Sequence, residues 1–196
     1  MTRIDFYSLA EGSRGDRFLL TCRLVERIHQ LGQGRQASEG DLSNQGGQDL
    51  PGNQTSGASL PHHDSPGGPS ADSGHSNHSG QGNPRPPRIH IQLSDPVLAE
   101  HLDRLLWTYD DQSFLPHGRI GQTDPELTPI LIGTTPLDDQ DQVLINLDPD
   151  VPPGFSRFER LCEPLDLDPG VTAAGRERYR YYRDRGYPLH HHQIRL

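Results

Sequence analysis

A polar segment of 55 residues, at positions 33–87, interrupts the sequence and limits what the chain can fold into. It contains 11 glycines, 9 serines, 7 prolines and 10 asparagines or glutamines, but only six apolar residues and no aromatic residue. Such a segment buries too little apolar surface to offset the ordering of its backbone, which costs roughly 1–2 kcal/mol per residue. We therefore predict a disordered insertion at 33–87, with residues 1–32 and 88–196 forming one domain around it.

Outside this segment, the spacing of apolar residues alternates between that of strands and that of helices. A first helix is predicted at 16–31, with an apolar face that reaches Leu31. A second helix is predicted from an N-cap at Ser94 to about residue 109, and a third at 169–186. Residues 157–165 remain ambiguous, and the three histidines at 190–192 are interpreted as a flexible tail. Strands are predicted at 3–9, 88–93, 129–133 and 142–147. This alternation predicts a single α/β domain of three layers, in which helices flank a mostly parallel sheet.

The charge is distributed unevenly along the chain. All 18 basic residues are arginines, and the formal net charge is −9. Residues 88–169 contain five arginines and 16 acidic residues, whereas residues 170–196 contain six arginines and two acidic residues. An acidic body repels the phosphates of nucleic acid, so we expect little direct binding of DNA.

The basic residues of the last helix form a stripe. On a helical wheel, one narrow face combines three guanidinium groups with one aromatic ring: Arg176, Tyr179, Arg180 and Arg183. Such a row suits a peptide carboxylate that lies beside an aromatic side chain. A solvated face paired with the acidic body and a face for nucleic-acid phosphate stay open as alternatives. A second row carries Arg178, Tyr182 and Arg185, and the residues predicted to pack on the sheet are Ala173, Ala174 and Tyr181.

Large apolar residues also occur at the end of the second predicted helix and in the loop that follows it. The segment at 102–117 reads LDRLLWTYDDQSFLPH. Trp107 is predicted to be at least half buried in the core. Phe114 is the better candidate for an exposed anchor of a protein contact, because aromatic residues are enriched at the centres of such contacts.

Several function classes find no support in the sequence. It has no phosphate-binding loop, no G-x-G-x-x-G, no G-x-S-x-G and no H-E-x-x-H motif, so we expect neither catalysis nor a bound cofactor. We expect no metal site either, because the histidines of the insertion lack a regular ligand spacing; these are His62, His63, His75 and His78. Cys22 and Cys162 are expected to be buried thiols. One enzymatic alternative stays open, a small α/β nucleotide hydrolase that uses acidic loops, with Asp138, Asp139, Asp141, Asp148 and Asp150.

No apolar run reaches the ~18–20 residues that a membrane span needs. The first residues, MTRIDFYSLAEG, also lack the apolar core of a signal peptide. We therefore expect a cytoplasmic protein.

The sequence resembles the chi subunit family of bacterial DNA polymerase III, an accessory subunit of the clamp-loader complex. The resemblance spans the chain apart from the insertion. It rests on IDFYSL (4–9), LLTCRLVERIHQLG (19–32), LDRLLWTYDDQSFLPH (102–117), VLINL (143–147) and GRERYRYYRDRG (175–186).

The resemblance implies a non-catalytic α/β domain with a topology like that of nucleotide-binding folds but without a nucleotide site. It also implies binding of the acidic tail of single-stranded DNA-binding protein, which ends in aspartate, proline and phenylalanine. The residues implied for that tail are Arg176, Tyr179, Arg180 and Arg183. Trp107 and Phe114 are implied to contact the psi subunit in a 1:1 heterodimer. Such a protein would bridge the clamp loader, through psi, to protein-coated DNA.

Overall fold

The computed structural model describes residues 1–32 and 86–196, and their central feature is a parallel sheet. The sheet has seven strands within these residues, in the order β3-β4-β2-β5-β6-β1-β7. The strands are β1 (Arg3–Leu9), β2 (Ile89–Gln92), β3 (His117–Arg119), β4 (Ile130–Gly133), β5 (Val143–Asn146), β6 (Arg160–Leu165) and β7 (Leu189–Ile194). The helices are α1 (Arg17–Gly32), α2 (Pro96–Thr108) and α3 (Pro169–Asp184). The predicted insertion lies outside the described residues, except for Pro86 and Pro87.

Two apolar clusters, one on each face of the sheet, give the three layers that the sequence predicts. Because successive strand residues point to opposite faces, β1 contributes to both clusters. Tyr7 and Leu9 pack with α1 and α2, whereas Ile4 and Phe6 pack under α3. The prediction of a three-layer α/β domain with a mostly parallel sheet is therefore confirmed, and each pair of adjacent strands is parallel.

Two local predictions about the first two helices are wrong. Asp95, not Ser94, is the N-cap of α2, because its carboxylate accepts hydrogen bonds from the backbone N–H groups of Val97 and Leu98. The hydroxyl of Ser94 instead donates to Asp148 at 2.6 Å. In α1, Leu31 is exposed, because the row of apolar residues that packs on the sheet ends at Ile28.

The prediction of a flexible tail at His190–His192 is also wrong, because these residues lie in β7. This strand pairs in parallel with β1, and Ala10 N–H donates to the carbonyl of Ile194 at 2.8 Å just beyond the paired residues. A strand at the edge of a sheet is partly solvated, so its polar composition does not exclude it from the sheet. The ambiguous residues at 157–165 contain β6, and the short β3 was not predicted.

Helix α3 is fixed to the sheet by a buried charged group, Glu163 of β6. Arg178 binds the Glu163 carboxylate through Nε at 2.9 Å, and the hydroxyl of Tyr182 donates to it at 2.8 Å. Burial raises the pKa of the Glu163 carboxyl, and the Arg178 guanidinium opposes this effect.

This contact corrects the predicted packing face of α3. Arg178 and Tyr182, assigned to a second row, are buried, while Ala173 is exposed and Ala174 and Tyr181 are only partly buried. The charged partner on β6 explains the difference, because it allows an arginine to lie at the interface of helix and sheet.

Both cysteines are buried free thiols, as predicted. Burial raises the pKa of Cys22 and of Cys162 to about 12, so neither thiol is a ready nucleophile at neutral pH.

Candidate functional site

A groove of about 420 Å³ lies between α3 and the part of the sheet formed by β6, β1 and β7. Its lining is mainly apolar, and its residues come from four elements of the fold. They are Phe6 and Ser8 of β1, Leu165 of β6, Thr172, Gly175, Arg176 and Tyr179 of α3, and His191 of β7.

The shape of the groove depends on a close approach between α3 and β6. A Cβ atom at Gly175 would lie 2.7 Å from Cδ2 of Leu165, so glycine allows the helix to sit at this distance from the strand. One turn further along α3, the ring of Tyr179 meets Phe6 edge to face, with 5.3 Å between the ring centroids. Tyr179 is nevertheless 39% exposed. The groove thus has an apolar floor and an aromatic wall that solvent can reach.

The predicted arginine stripe lies on the exposed face of α3. The side chain of Arg176 lines the groove and makes no ion pair or hydrogen bond within the described residues. Arg180 contacts Glu177 at 2.6 Å, and Arg183 contacts Asp184 at 3.0 Å. Since both partners of each pair are well exposed, each pair contributes at most about 1 kcal/mol and can exchange for another anion. Of the four predicted residues, the structure brings Arg176 and Tyr179 into the groove and places Arg180 and Arg183 beyond it.

The sequence did not point to the other six residues that line the groove, which are Thr172 and Gly175 of α3 and four strand residues, Phe6, Ser8, Leu165 and His191. The alternation in β1 puts Phe6 and Ser8 on one face of the strand, but nothing in the sequence shows that α3 leaves this face partly open. His191 was missed because its segment was not predicted to be a strand.

A second candidate surface lies between α2 and β3. Phe114 is 72% exposed, as predicted, and its ring centroid lies 6.2 Å from that of Trp107. Trp107 is 58% exposed, so the prediction that it is at least half buried is wrong. Its ring packs instead on the buried ring of His117, with 4.8 Å between the ring centroids.

The loop that carries Phe114 is fixed at its end. Leu115 is buried in the core, and Nδ1 of His117 lies 2.7 Å from the carbonyl oxygen of Leu115. Nε2 of the same ring lies 3.0 Å from the carbonyl oxygen of Asp103 in α2. Trp107 and Phe114 therefore form an exposed aromatic pair on a fixed base, which we call the aromatic surface.

The acidic residues of the open hydrolase alternative do not form one cluster. Asp138, Asp139 and Asp141 precede β5, whereas Asp148 and Asp150 follow it, so they lie at opposite ends of that strand. Asp139 is paired with Arg88. In the ranges 1–32 and 86–196, no group of three or more histidine, cysteine, aspartate or glutamate side chains is placed to hold a metal ion. None of the helices in these ranges is long and apolar enough to cross a membrane.

Comparison with known proteins agrees with the resemblance seen in the sequence. Residues 84–190, more than half of the chain, match the model of the family described as DNA polymerase III chi subunit, HolC. The chain belongs to the chi subunit family. A chi subunit of DNA polymerase III from Pseudomonas aeruginosa is 30% identical over 108 residues, which cover 55% of this chain and 75% of the relative. A chi subunit of DNA polymerase III from Haemophilus influenzae is 30% identical over 105 residues, which cover 52% of this chain and 72% of the relative.

Membership of the chi family gives the chain an accessory role in DNA polymerase III. The matched residues include the whole of α3 and the aromatic surface. They do not include β1 or most of β7, which supply three of the residues that line the groove.

Proposed function

We propose that this chi-family protein is a non-catalytic bridge in DNA polymerase III. Its groove binds the acidic carboxyl-terminal tail of single-stranded DNA-binding protein, and its aromatic surface binds the psi subunit. Through psi, the protein holds the clamp loader to coated single-stranded DNA in the cytoplasm. The observation that carries the proposal is an apolar groove with an arginine, Arg176, whose side chain has no partner among the described residues.

The chemistry of the groove matches that of a chain end in which a phenylalanine carries the terminal carboxylate. The aromatic ring would lie on the floor formed by Phe6 and Leu165, against Tyr179. Arg176 would then bind the terminal carboxylate with two parallel hydrogen bonds, the geometry that a guanidinium favours.

The other two arginines of the stripe suit the acidic residues that precede the phenylalanine. Arg180 and Arg183 follow Arg176 by one and two turns on the exposed face of α3. Their present partners, Glu177 and Asp184, are exposed, so exchanging them for carboxylates of the peptide has a small energetic cost.

Substitution of Arg176 tests the tail site. Losing a charge-assisted contact of this kind costs about 1.5–3 kcal/mol, which corresponds to a roughly 10- to 150-fold loss of affinity. We expect Arg176→Ala to weaken binding of a labelled peptide ending in Asp-Pro-Phe at least about tenfold in fluorescence anisotropy at low salt. Arg104→Ala is the matched control, since it removes another exposed arginine charge, from α2. Equal affinities of the wild type and Arg176→Ala would refute the tail site.

The aromatic surface suits a partner that covers apolar side chains. Trp107 and Phe114 expose two large aromatic side chains next to each other, and their fixed position limits the entropy lost on binding. The loop that connects the two residues contains two exposed acidic residues, Asp110 and Asp111. A psi segment with apolar and basic side chains would therefore fit it.

Substitution of Phe114 tests the psi site. We expect Phe114→Ala to weaken co-purification of psi while leaving the affinity for the tail peptide unchanged. Leu127→Ala is the matched control, because Leu127 is also highly exposed, at 77%, and lies outside the aromatic surface. Unchanged binding of psi by Phe114→Ala would contradict this part of the proposal, and a joint loss of psi and peptide would indicate misfolding instead.

A further inference from the structure

The groove contains a titratable side chain that the arginine stripe does not include. Among the described residues that line it, His191 is the one whose side chain type changes charge between pH 5 and 8. Its position in β7 is opposite Phe6 of β1, so its side chain lies on the same face of the sheet as α3. It is exposed, and its Nε2 atom lies 2.9 Å from the hydroxyl oxygen of Ser8, which also lines the groove.

We propose that His191 and Ser8 form a proton-dependent anchor for the acidic peptide, so that the tail binds more tightly as the pH falls from 8 to 6. The inference rests on the proposed function of the groove and adds a regulatory element to it. Arg176 and His191 both line the groove, so the anchor adds a proton-dependent contact to that of the arginine.

Protonation changes the hydrogen bonds as well as the charge. With Nε2 unprotonated, the ring accepts the hydroxyl proton of Ser8. After protonation, Nε2–H donates to the Ser8 oxygen, and the Ser8 hydroxyl is released to donate to a carboxylate in the groove. The peptide thereby gains a cationic neighbour and a hydroxyl donor in one step.

Among the described residues, no carboxylate is paired with the His191 ring. From α3, Arg176 and Tyr179 line the groove, and neither side chain is a carboxylate. From β1, Asp5 and Tyr7 point to the opposite face, where they contact His192.

In the part of the chain that the structure describes, the elements further from His191 place no free carboxylate next to it either. On β6, Glu163 lies beyond Phe6 and is bound to Arg178. On β7 itself, His190 and His192 are on the opposite face, and Gln193 is uncharged. Arg195, beyond the end of the strand, is permanently positive.

The affinity for the Asp-Pro-Phe peptide at pH 6, 7 and 8, at constant ionic strength, tests the inference. The carboxylates of the peptide stay ionised throughout, because their ordinary pKa values lie near 4. We expect the wild type to bind roughly threefold or more tightly at pH 6 than at pH 8. His191→Gln should remove this ratio, because glutamine still contacts Ser8 but does not titrate. His190→Gln, on the opposite face of the same strand, should keep it.

The outcomes separate this inference from the proposed function. Binding that depends on Arg176 but shows the same pH ratio in the wild type and in His191→Gln would overturn the proton-dependent anchor alone. An absence of peptide binding at every pH would overturn the tail site and the anchor together. Thermal unfolding of each variant shows whether it is folded, so a lost pH ratio in folded His191→Gln supports the anchor.

Discussion

His90 of β2 is the clearest case of a single residue whose environment determines its chemistry. It lies between Leu131 of β4 and Leu144 of β5 and has no exposed surface. Neither ring nitrogen makes a hydrogen bond of good geometry among the described residues, and the nearby side chains of Gln92 and Gln140 only partly oppose the effect of burial. Burial lowers the pKa of His90 to about 4, so the ring is neutral in the folded protein at physiological pH.

This burial predicts a loss of stability in mild acid. The unfolded chain takes up the proton near pH 6.5 and the folded protein only near pH 4, so acidification in this window favours unfolding. Between pH 7 and pH 5, His90 should lower the free energy of unfolding by up to about 2 kcal/mol. Urea unfolding at the two pH values, compared between the wild type and His90→Leu, measures this contribution. An equal change of the free energy of unfolding between pH 7 and pH 5 in both proteins would show that His90 is not the source of the lost stability.

At the scale of the element, α3 combines two functions on opposite faces. Arg176 and Arg178 are two residues apart, yet the first is exposed at the groove and the second is only 4% exposed. The buried side, with Arg178 and Tyr182 on Glu163, fixes the position of the helix. The other side can then present unpaired charge to a ligand without a cost to the fold.

The two arginines should therefore respond differently to removal. Arg178→Ala leaves the buried Glu163 without its cation and should lower the free energy of unfolding by about 3–5 kcal/mol. Arg176→Ala should change it by no more than about 0.5 kcal/mol. Urea unfolding of both variants at pH 7 makes the comparison. A similar loss of stability in the two variants would contradict the assignment of the two faces.

The elements also show which features the sequence could predict. The strand β1 was predicted at its observed bounds, because its apolar residues are flanked by polar ones and alternate in the expected way. The strand β7 was missed, because three histidines on a partly solvated edge give no apolar pattern. The stripe on α3 follows from helical spacing alone. Its groove does not, since Phe6, Leu165 and His191 come from three strands whose proximity depends on the strand order.

At the scale of the whole molecule, the two candidate surfaces belong to opposite edges of the sheet. The groove is next to β7, and the aromatic surface is next to β3, at the other end of the strand order. Six strand spacings of about 4.8 Å separate these edges, which is roughly 29 Å. Two partners can thus bind together without competing for one surface, as a bridge requires.

The predicted insertion can be tested at the same scale. Replacing residues 33–85 with a glycine-serine linker about a quarter as long should raise the free energy of unfolding by only about 1 kcal/mol, because the entropy of closing a loop depends weakly on its length. The affinity for the tail peptide should not change. Urea unfolding and peptide titration of the shortened protein check both expectations, and a protein that fails to fold would contradict the prediction of a disordered insertion.

The most direct test of the tail site is to titrate the Asp-Pro-Phe peptide into the full-length protein and follow the amide resonances of the protein by NMR. We expect chemical-shift changes concentrated around the groove, at Ser8, Gly175, Tyr179 and His191. These changes should fall to background when the terminal phenylalanine is removed from the peptide. Shifts centred on Trp107 and Phe114, or equal shifts with the truncated peptide, would contradict the tail site.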